Sequence, residues 1–332
     1  VTTPSYRRLL AGLLCLTLLA FVASLLIGPA GFNLDGLRAA LDDDGSDTLA
    51  LIFWELRLPR ALLGATIGAS LALAGACLQG FMRNPLAEPG VIGISSASAL
   101  GAVIALYSGL ALTFPLALPL CAIAGSLTAV LILQPLTAGA GTATLILAGV
   151  AVSSLCGALT SLALSVSPNP FASLEIVFWM LGSITDRSMA QFWLIVPFIA
   201  AGWVMLAMTA RPLDALSLGT ETAVSLGVDM RRLRLLITLG AACCVGAATA
   251  VSGVIGFVGL VVPHLLRPLV GFHPSRLLPA SALGGATLLL SADVLVRLLN
   301  TPSELHLGVV TALIGVPFFF YLVLRSRSSN GS

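Results

Sequence analysis

PGVIGISSASALGAVIALYSGLALTFPLALPLCAIAGSLTAVLILQPLTAGAGTATLILAGVAVSSLCGALTSLALSVSPNPFASL, residues 89–174, runs for 86 residues without an Asp, Glu, Arg, Lys or His. A charge at the centre of a membrane helix costs about 2.5–3.5 kcal/mol on insertion scales, so a charge-free run marks chain that lies in a bilayer. About 20 apolar residues cross the hydrocarbon once. The run therefore holds three helices, with breaks at Ser108 to Pro115 and at Pro135 to Thr142. Working outward, the other charge-free stretches are 9–34, 61–82, 188–210, 235–266, 277–292 and 305–324. The stretch 235–266 turns near Ser252-Gly253, and its second helix continues past Pro263. The expectation is an all-α integral membrane protein, a single transmembrane domain over 1–332. About ten transmembrane helices are predicted, at 8–28, 57–81, 91–107, 115–134, 143–166, 189–209, 232–251, 256–270, 276–297 and 305–325.

Composition agrees. Of 332 residues, 58% are apolar and 9% charged, with mean hydropathy +1.06, against about a quarter charged in soluble domains. All 16 basic residues are arginine. Without lysine the chain can form neither a Walker-A phosphate loop nor a Schiff base, so any ATP hydrolysis that drives it belongs to another polypeptide. A net charge of +2 with dispersed arginines excludes a nucleic-acid partner. Cys15, Cys77, Cys121, Cys156, Cys243 and Cys244 lack ligand spacing and read as small hydrophobes. His264, His273 and His306 are scattered without acidic companions, so no metal site is expected. Tyr6-Arg7-Arg8 and the apolar run to Ile27 read as an uncleaved first helix.

Orientation follows from the arginines. With both termini cytoplasmic, eleven lie inside (7, 8, 83, 211, 231, 232, 234, 267, 276, 325 and 327) and five outside, as the positive-inside bias requires. Ten of the acids fall outside, including Asp35, Asp42, Asp43, Asp44 and Asp47 of the first loop, which reads as a solvated external segment. The external arginines run against the bias. Arg57 and Arg60 frame the second helix and Arg297 ends the ninth. Guanidinium geometry favours bidentate pairing with carboxylates of an extracytoplasmic partner; interfacial anchoring by snorkelling is the alternative.

Three further features bear on function. Ser153, Ser154, Gly157, Thr160, Ser161 and Ser165 recur at helical spacing in the fifth helix, a hydroxyl face suited either to a water-filled path or to helix packing. Gly308, Thr311, Ala312 and Gly315 make a similar small-residue face in the tenth. The loop 211–234 carries Leu213, Leu216, Leu218, Ala223, Val224, Leu226 and Val228 among Gly219, Glu221, Gly227 and several charges. It is too apolar for a solvated linker and too interrupted to span, so two short helices on the cytoplasmic face, docking a soluble partner, are expected; a helix lying on lipid is the alternative. No helix carries an Asp, Glu or His chain of the proton-relay kind, which argues against an ion-coupled carrier.

Several blocks share one resemblance. They are Arg57-Leu-Pro-Arg60, Gly64-Ala-Thr-Ile-Gly68, Gln79-Gly-Phe-Met-Arg-Asn-Pro-Leu-Ala-Glu-Pro-Gly-Val-Ile-Gly93, Leu147-Ala-Gly-Val-Ala151, 216–227, Gly256-Phe-Val-Gly-Leu-Val-Val-Pro-His-Leu-Leu-Arg267, and Gly308 to Phe320. In this order, over nearly the whole chain, they resemble the permease subunits of type II ABC importers for iron chelates, haem and vitamin B12, the FecCD/BtuC-like family. The resemblance implies a BtuC-like permease fold in a bacterial inner membrane and a homodimer of two copies. It also implies two cytoplasmic ATP-binding subunits, which hold the ATP and Mg, and a periplasmic substrate-binding protein. No cofactor is expected on this chain. By resemblance, the loop about 211–230 couples to the ATPase through Leu213, Leu216, Leu218, Gly219, Glu221, Ala223, Leu226 and Gly227. Arg57, Arg60 and Arg297 meet glutamates of the binding protein, and the fifth-helix hydroxyls with Thr311 line the path. A cytoplasmic gate falls at Thr142 and Ala143. An iron chelate, ferric siderophore or haem, is the expected substrate, with cobalamin the alternative.

Overall fold

The computed structural model describes residues 3–28, 31–32, 48–114, 116–137, 141–167, 170–299 and 305–329. Asp35, Arg38, Asp42, Asp43, Asp44 and Asp47 of the first loop, Pro115 and Glu304 lie outside the described residues. Thirteen α-helices of six residues or more organise the described residues: α1 Thr3–Leu26, α2 Leu58–Met82, α3 Ile94–Tyr107, α4 Ala117–Leu136, α5 Thr142–Ser165, α6 Pro170–Met180, α7 Met189–Ala207, α8 Ala210–Ser217, α9 Thr220–Ser225, α10 Met230–Ser252, α11 Val258–Leu266, α12 Pro274–Leu298 and α13 Leu307–Ser329. A two-residue antiparallel pairing joins β1 Ile27–Gly28 to β2 Gly31–Phe32.

Among the described residues, seven helical runs are long and apolar enough to cross a membrane: Ser5–Leu26, Ala50–Met82, Ala117–Leu136, Thr142–Ser165, Met189–Ser217, Met230–Ser252 and Pro274–Leu298. Ile94–Tyr107 and Leu307–Phe320 are shorter apolar helices. The eighth expected helix, 256–270, is the nine-residue α11. At 1.5 Å per residue it is about 14 Å long, half the hydrocarbon thickness. Gly253 (φ +69°) stops α10, and Phe257 (φ +66°) starts α11, so the two are halves of an interrupted pair. Two elements had no sequence signal. A π-helical turn, Phe53–Arg57, runs into α2, and α6 follows α5.

The hub is α2, buried around nearly its whole circumference. Helices in lipid gain little from apolar burial against one another, and backbone approach at small residues takes its place. Gly68 faces Gly285 of α12, where an added Cβ would lie 2.3 Å from the Gly285 carbonyl oxygen. Gly75 faces Gly259 of α11 still more closely, at 2.0 Å. Either side chain would force the helices apart. Helix starts are capped as the sequence allows. Ser188 and Gln191 form a capping box on α7, and the Asp229 carboxylate accepts from the Arg231 and Arg232 amides on α10.

Candidate functional site

The cytoplasmic loop folds as the pair α8 and α9, joined at Gly219, whose φ of +118° suits only glycine. The eight loop residues named above divide by burial. Leu213, Leu216 and Ala223 turn inward and are fully buried. Leu218 and Leu226 are 67% and 63% exposed, with Val224 beside them, and Glu221 and Gly227 are exposed as well. The pair is thus anchored by one face and presents an apolar patch on the other. Anchoring is reinforced by the Asp214 carboxylate, which accepts from the Ser275 amide at 2.9 Å and so caps α12. A cleft of about 450 Å³ beside the patch is lined by Met208, Arg211, Leu226, Asp229, Arg232 and Leu236.

On the opposite side, two of the three arginines, Arg60 and Arg297, share one carboxylate, Asp293. Arg60 donates through Nε to both Asp293 oxygens (3.0 and 3.2 Å) and through Nη2 to Oδ1 (2.8 Å). Arg297 donates to Asp293 Oδ2 (2.7 Å), the Asp293 carbonyl (3.4 Å), Ser24 Oγ (2.7 Å), and the Ser24 and Ile27 carbonyls (2.8 and 2.6 Å). Each of its five N–H groups has a partner within the chain. The Arg297 side chain is 5% exposed and that of Arg60 13%. Arg57 donates to the Leu25 and Leu26 carbonyls (3.1 and 3.4 Å). Together the arginines satisfy carbonyls that the end of α1 leaves without intrahelical donors. Arg297 therefore serves the interior of this chain, and its geometry leaves no donor for a partner carboxylate. Arg57 and Arg60 are half-buried and keep unused N–H groups.

The hydroxyl face of α5 also divides. Ser154, Gly157, Ser161 and Ser165 are exposed at steps of three and four, one continuous stripe. Thr160 is buried, and Ser153 donates to the Gly90 carbonyl at 3.3 Å. Thr311 does not join that stripe. It is 4% exposed and its hydroxyl bonds the Gly308 carbonyl of its own helix, while α13 turns Leu313, Val316 and Phe320 outward instead. Thr142 opens α5 half-buried and Ala143 is exposed beside it. Among the described residues, no group of three or more His, Cys, Asp or Glu could hold a metal ion. The residues that sequence reasoning missed are Asp293, Ser24, Gln79 and Glu88. The last two stood inside a quoted motif, but nothing in one sequence marks which polar residues turn inward.

A multi-pass helical bundle without the lysine of a Walker-A loop, with an anchored apolar helix pair on its arginine-rich face, is a permease subunit of a bacterial ABC importer, not itself catalytic. The profile of the FecCD transport family matches residues 16–325, and the chain belongs to that family. It is 38% identical over 335 residues to the hemin transport system permease protein HmuU of Yersinia pestis, covering 98% of this chain and 97% of that protein. It is 43% identical over 283 residues to the vitamin B12 import system permease protein BtuC of Vibrio cholerae, 84% of each. Among solved structures, an inward-facing transporter described as of metal-chelate ABC type superposes with TM-score 0.83 at 35% identity, covering 96% of this chain and 99% of that one. The fold is therefore BtuC-like, and a permease of this type implies ATPase and binding-protein partners.

Proposed function

We propose that the chain moves an iron chelate, ferric siderophore or haem, across a bacterial inner membrane by ATP-driven alternating access. It does so as one of two copies, served by two cytoplasmic ATP-binding subunits and a periplasmic binding protein. The observation that carries the reading is the two-sided helix pair α8–α9. Its buried leucines fasten it to the bundle, and its exposed Leu218, Val224 and Leu226 offer a soluble ATPase an apolar seat. A helix resting on lipid would need no such anchoring to α12.

On this reading ATP and Mg stay on the partner. Closure of the ATPases shifts α8–α9, and the end of the central path that is open changes. The path runs between the two copies along Ser154, Gly157, Ser161 and Ser165, with the gate at Thr142 and Ala143. A hydroxyl and apolar wall without charge suits a bulky chelate that must be released rather than held, so the permease alone should bind it weakly. The binding protein docks on the outer side at Arg57 and Arg60, with Arg297 and Asp293 as the buried support. Support for an iron chelate is the hemin relative, matched over 98% of this chain; the B12 relatives support cobalamin as the other outcome. The test is to purify the cognate binding protein and identify its retained ligand by mass spectrometry. A ferric siderophore or haem is expected, and cobalamin alone would overturn the assignment.

A further inference from the structure

Two motif blocks, 79–93 and 256–267, are some 180 residues apart in the chain and meet as one buried joint. Its depth follows from two helices. Gly259 touches α2 at Leu71 and Gly75, seven to eleven residues from that helix's inner end. Ser153, eleven residues into α5, reaches Gly90. At 1.5 Å per residue both put the joint about 10–16 Å above the inner helix ends, well inside a hydrocarbon layer about 30 Å thick. Residues 83–93 therefore re-enter the membrane, and α11 begins there.

At that depth water cannot satisfy backbone groups, and α11 has two deficits. The Phe257 amide precedes the helical ladder and takes no intrahelical acceptor, while the Val258 and Leu260 amides close on the Gly256 and Phe257 carbonyls (2.9 and 3.1 Å); Pro263 has no N–H to give the Gly259 carbonyl. The Glu88 carboxylate accepts from the Phe257 amide at 2.5 Å. Buried Gln79 donates through Nε2 to the Gly259 and Leu260 carbonyls (3.3 and 3.2 Å) and accepts from Arg267 Nη2 through Oε1 (2.7 Å). The flipped amide would aim oxygen at carbonyls and N–H at a guanidinium, so the orientation is fixed by its partners. Gly80, the next residue on α2, faces Leu213 of α8, which an added Cβ would meet at 3.4 Å. At the far end Phe257 holds a left-handed conformation, unusual for a bulky side chain. Its ring occupies the space beside Gly315 of α13, where an added Cβ would lie 2.2 Å from it. Phe257, Gly256, Leu313 and Val316 line a cleft of about 590 Å³.

We propose that Gln79, Glu88 and Phe257 are positioning residues for transport, which make the inner half of α2 and α11 one lever carrying displacement of α8 to the α13 wall of that cleft. The proposal rests on the reading of α8–α9 as the ATPase seat. α8 packs on α2 with Leu213 facing Gly80, Gln79 of α2 clamps α11, and the Phe257 ring meets α13 at Gly315. A lever of this kind must be stiff, and the two polar clamps supply the stiffness where a proline and a chain break would otherwise leave a hinge.

The test uses the assembled importer in proteoliposomes, loaded with the chelate that the binding protein retains. Gln79→Leu removes both amide donors, Phe257→Ala removes the ring that meets α13, and Gly315→Ala crowds that ring. Expected is a fall in uptake of about 10-fold or more in each variant, with ATPase association and ATP hydrolysis unchanged. Wild-type uptake in Gln79→Leu or in Phe257→Ala, or loss of ATPase association together with exposure of buried Cys77 to a thiol dye, would overturn it. The ATPase-seat reading fails separately, if Leu218→Asp/Leu226→Asp still retains the ATPase.

Discussion

Replacing Asp293 with alanine tests the outer arginine cluster most sharply. The carboxylate is 1% exposed and is shared by Arg60 and Arg297 through four contacts of 2.7–3.2 Å. Removing it leaves two guanidinium groups facing each other across a buried space. Breaking a buried ion pair by deleting one partner costs about 3–5 kcal/mol. Arg60 can swing toward water from its partly open position, which relieves part of the cost; Arg297, buried and tied to the end of α1, cannot. The lower bound of about 3 kcal/mol corresponds to at least a 100-fold larger open population. The buried thiols Cys77 and Cys244 provide the assay. In detergent under native conditions, a thiol-reactive dye labels them at a rate set by that population. Asp293→Ala should label about 100-fold faster, and Asp293→Asn, which keeps one acceptor oxygen and the shape, should fall between. Wild-type labelling rates in Asp293→Ala would refute the reasoning that this carboxylate ties α1, α2 and α12 together.

Two other outcomes follow from the exposed surfaces. Leu218→Asp/Leu226→Asp replaces the apolar seat with charge at exposed positions, so copurification of the ATPase subunits should be lost while thiol labelling stays at the wild-type rate. Ser161→Trp places a large ring on the outward stripe of α5 and should block uptake in the assembled importer without affecting stability, whereas Thr160→Trp, aimed inward, should unfold the protein by overpacking.

Charge distribution made the spans legible. An ion is so costly in hydrocarbon that its absence over 89–174 requires helices there, and the same rule found the cytoplasmic pair, whose leucines are interrupted by Asp214, Glu221 and Gly219. Rotation of each helix was not legible. In water an apolar stripe marks the buried face, but in lipid both faces are apolar, so Thr311 and Leu313 look alike until packing places one inside and the other outside. Inward pairing was hidden for the same reason. Arg297 reads as an exposed docking residue because its partners, Ser24 and Ile27, lie some 270 residues away in sequence. Helix length failed where tertiary hydrogen bonds decide it. The run through Pro263 is apolar enough for a full span, yet α11 is nine residues long, because Glu88 and Gln79 satisfy a chain break that no local pattern announces. The re-entrant course of residues 83–93 was missed with it.

The central claim is that this permease moves an iron chelate only when driven by ATP on a partner subunit. Uptake measured in proteoliposomes containing the permease, with and without the ATP-binding subunits and the binding protein, tests it directly. The account predicts accumulation of the ferric chelate that requires ATP, both partners and magnesium, and no accumulation of cyanocobalamin. Accumulation by the permease alone under an ion gradient would contradict it.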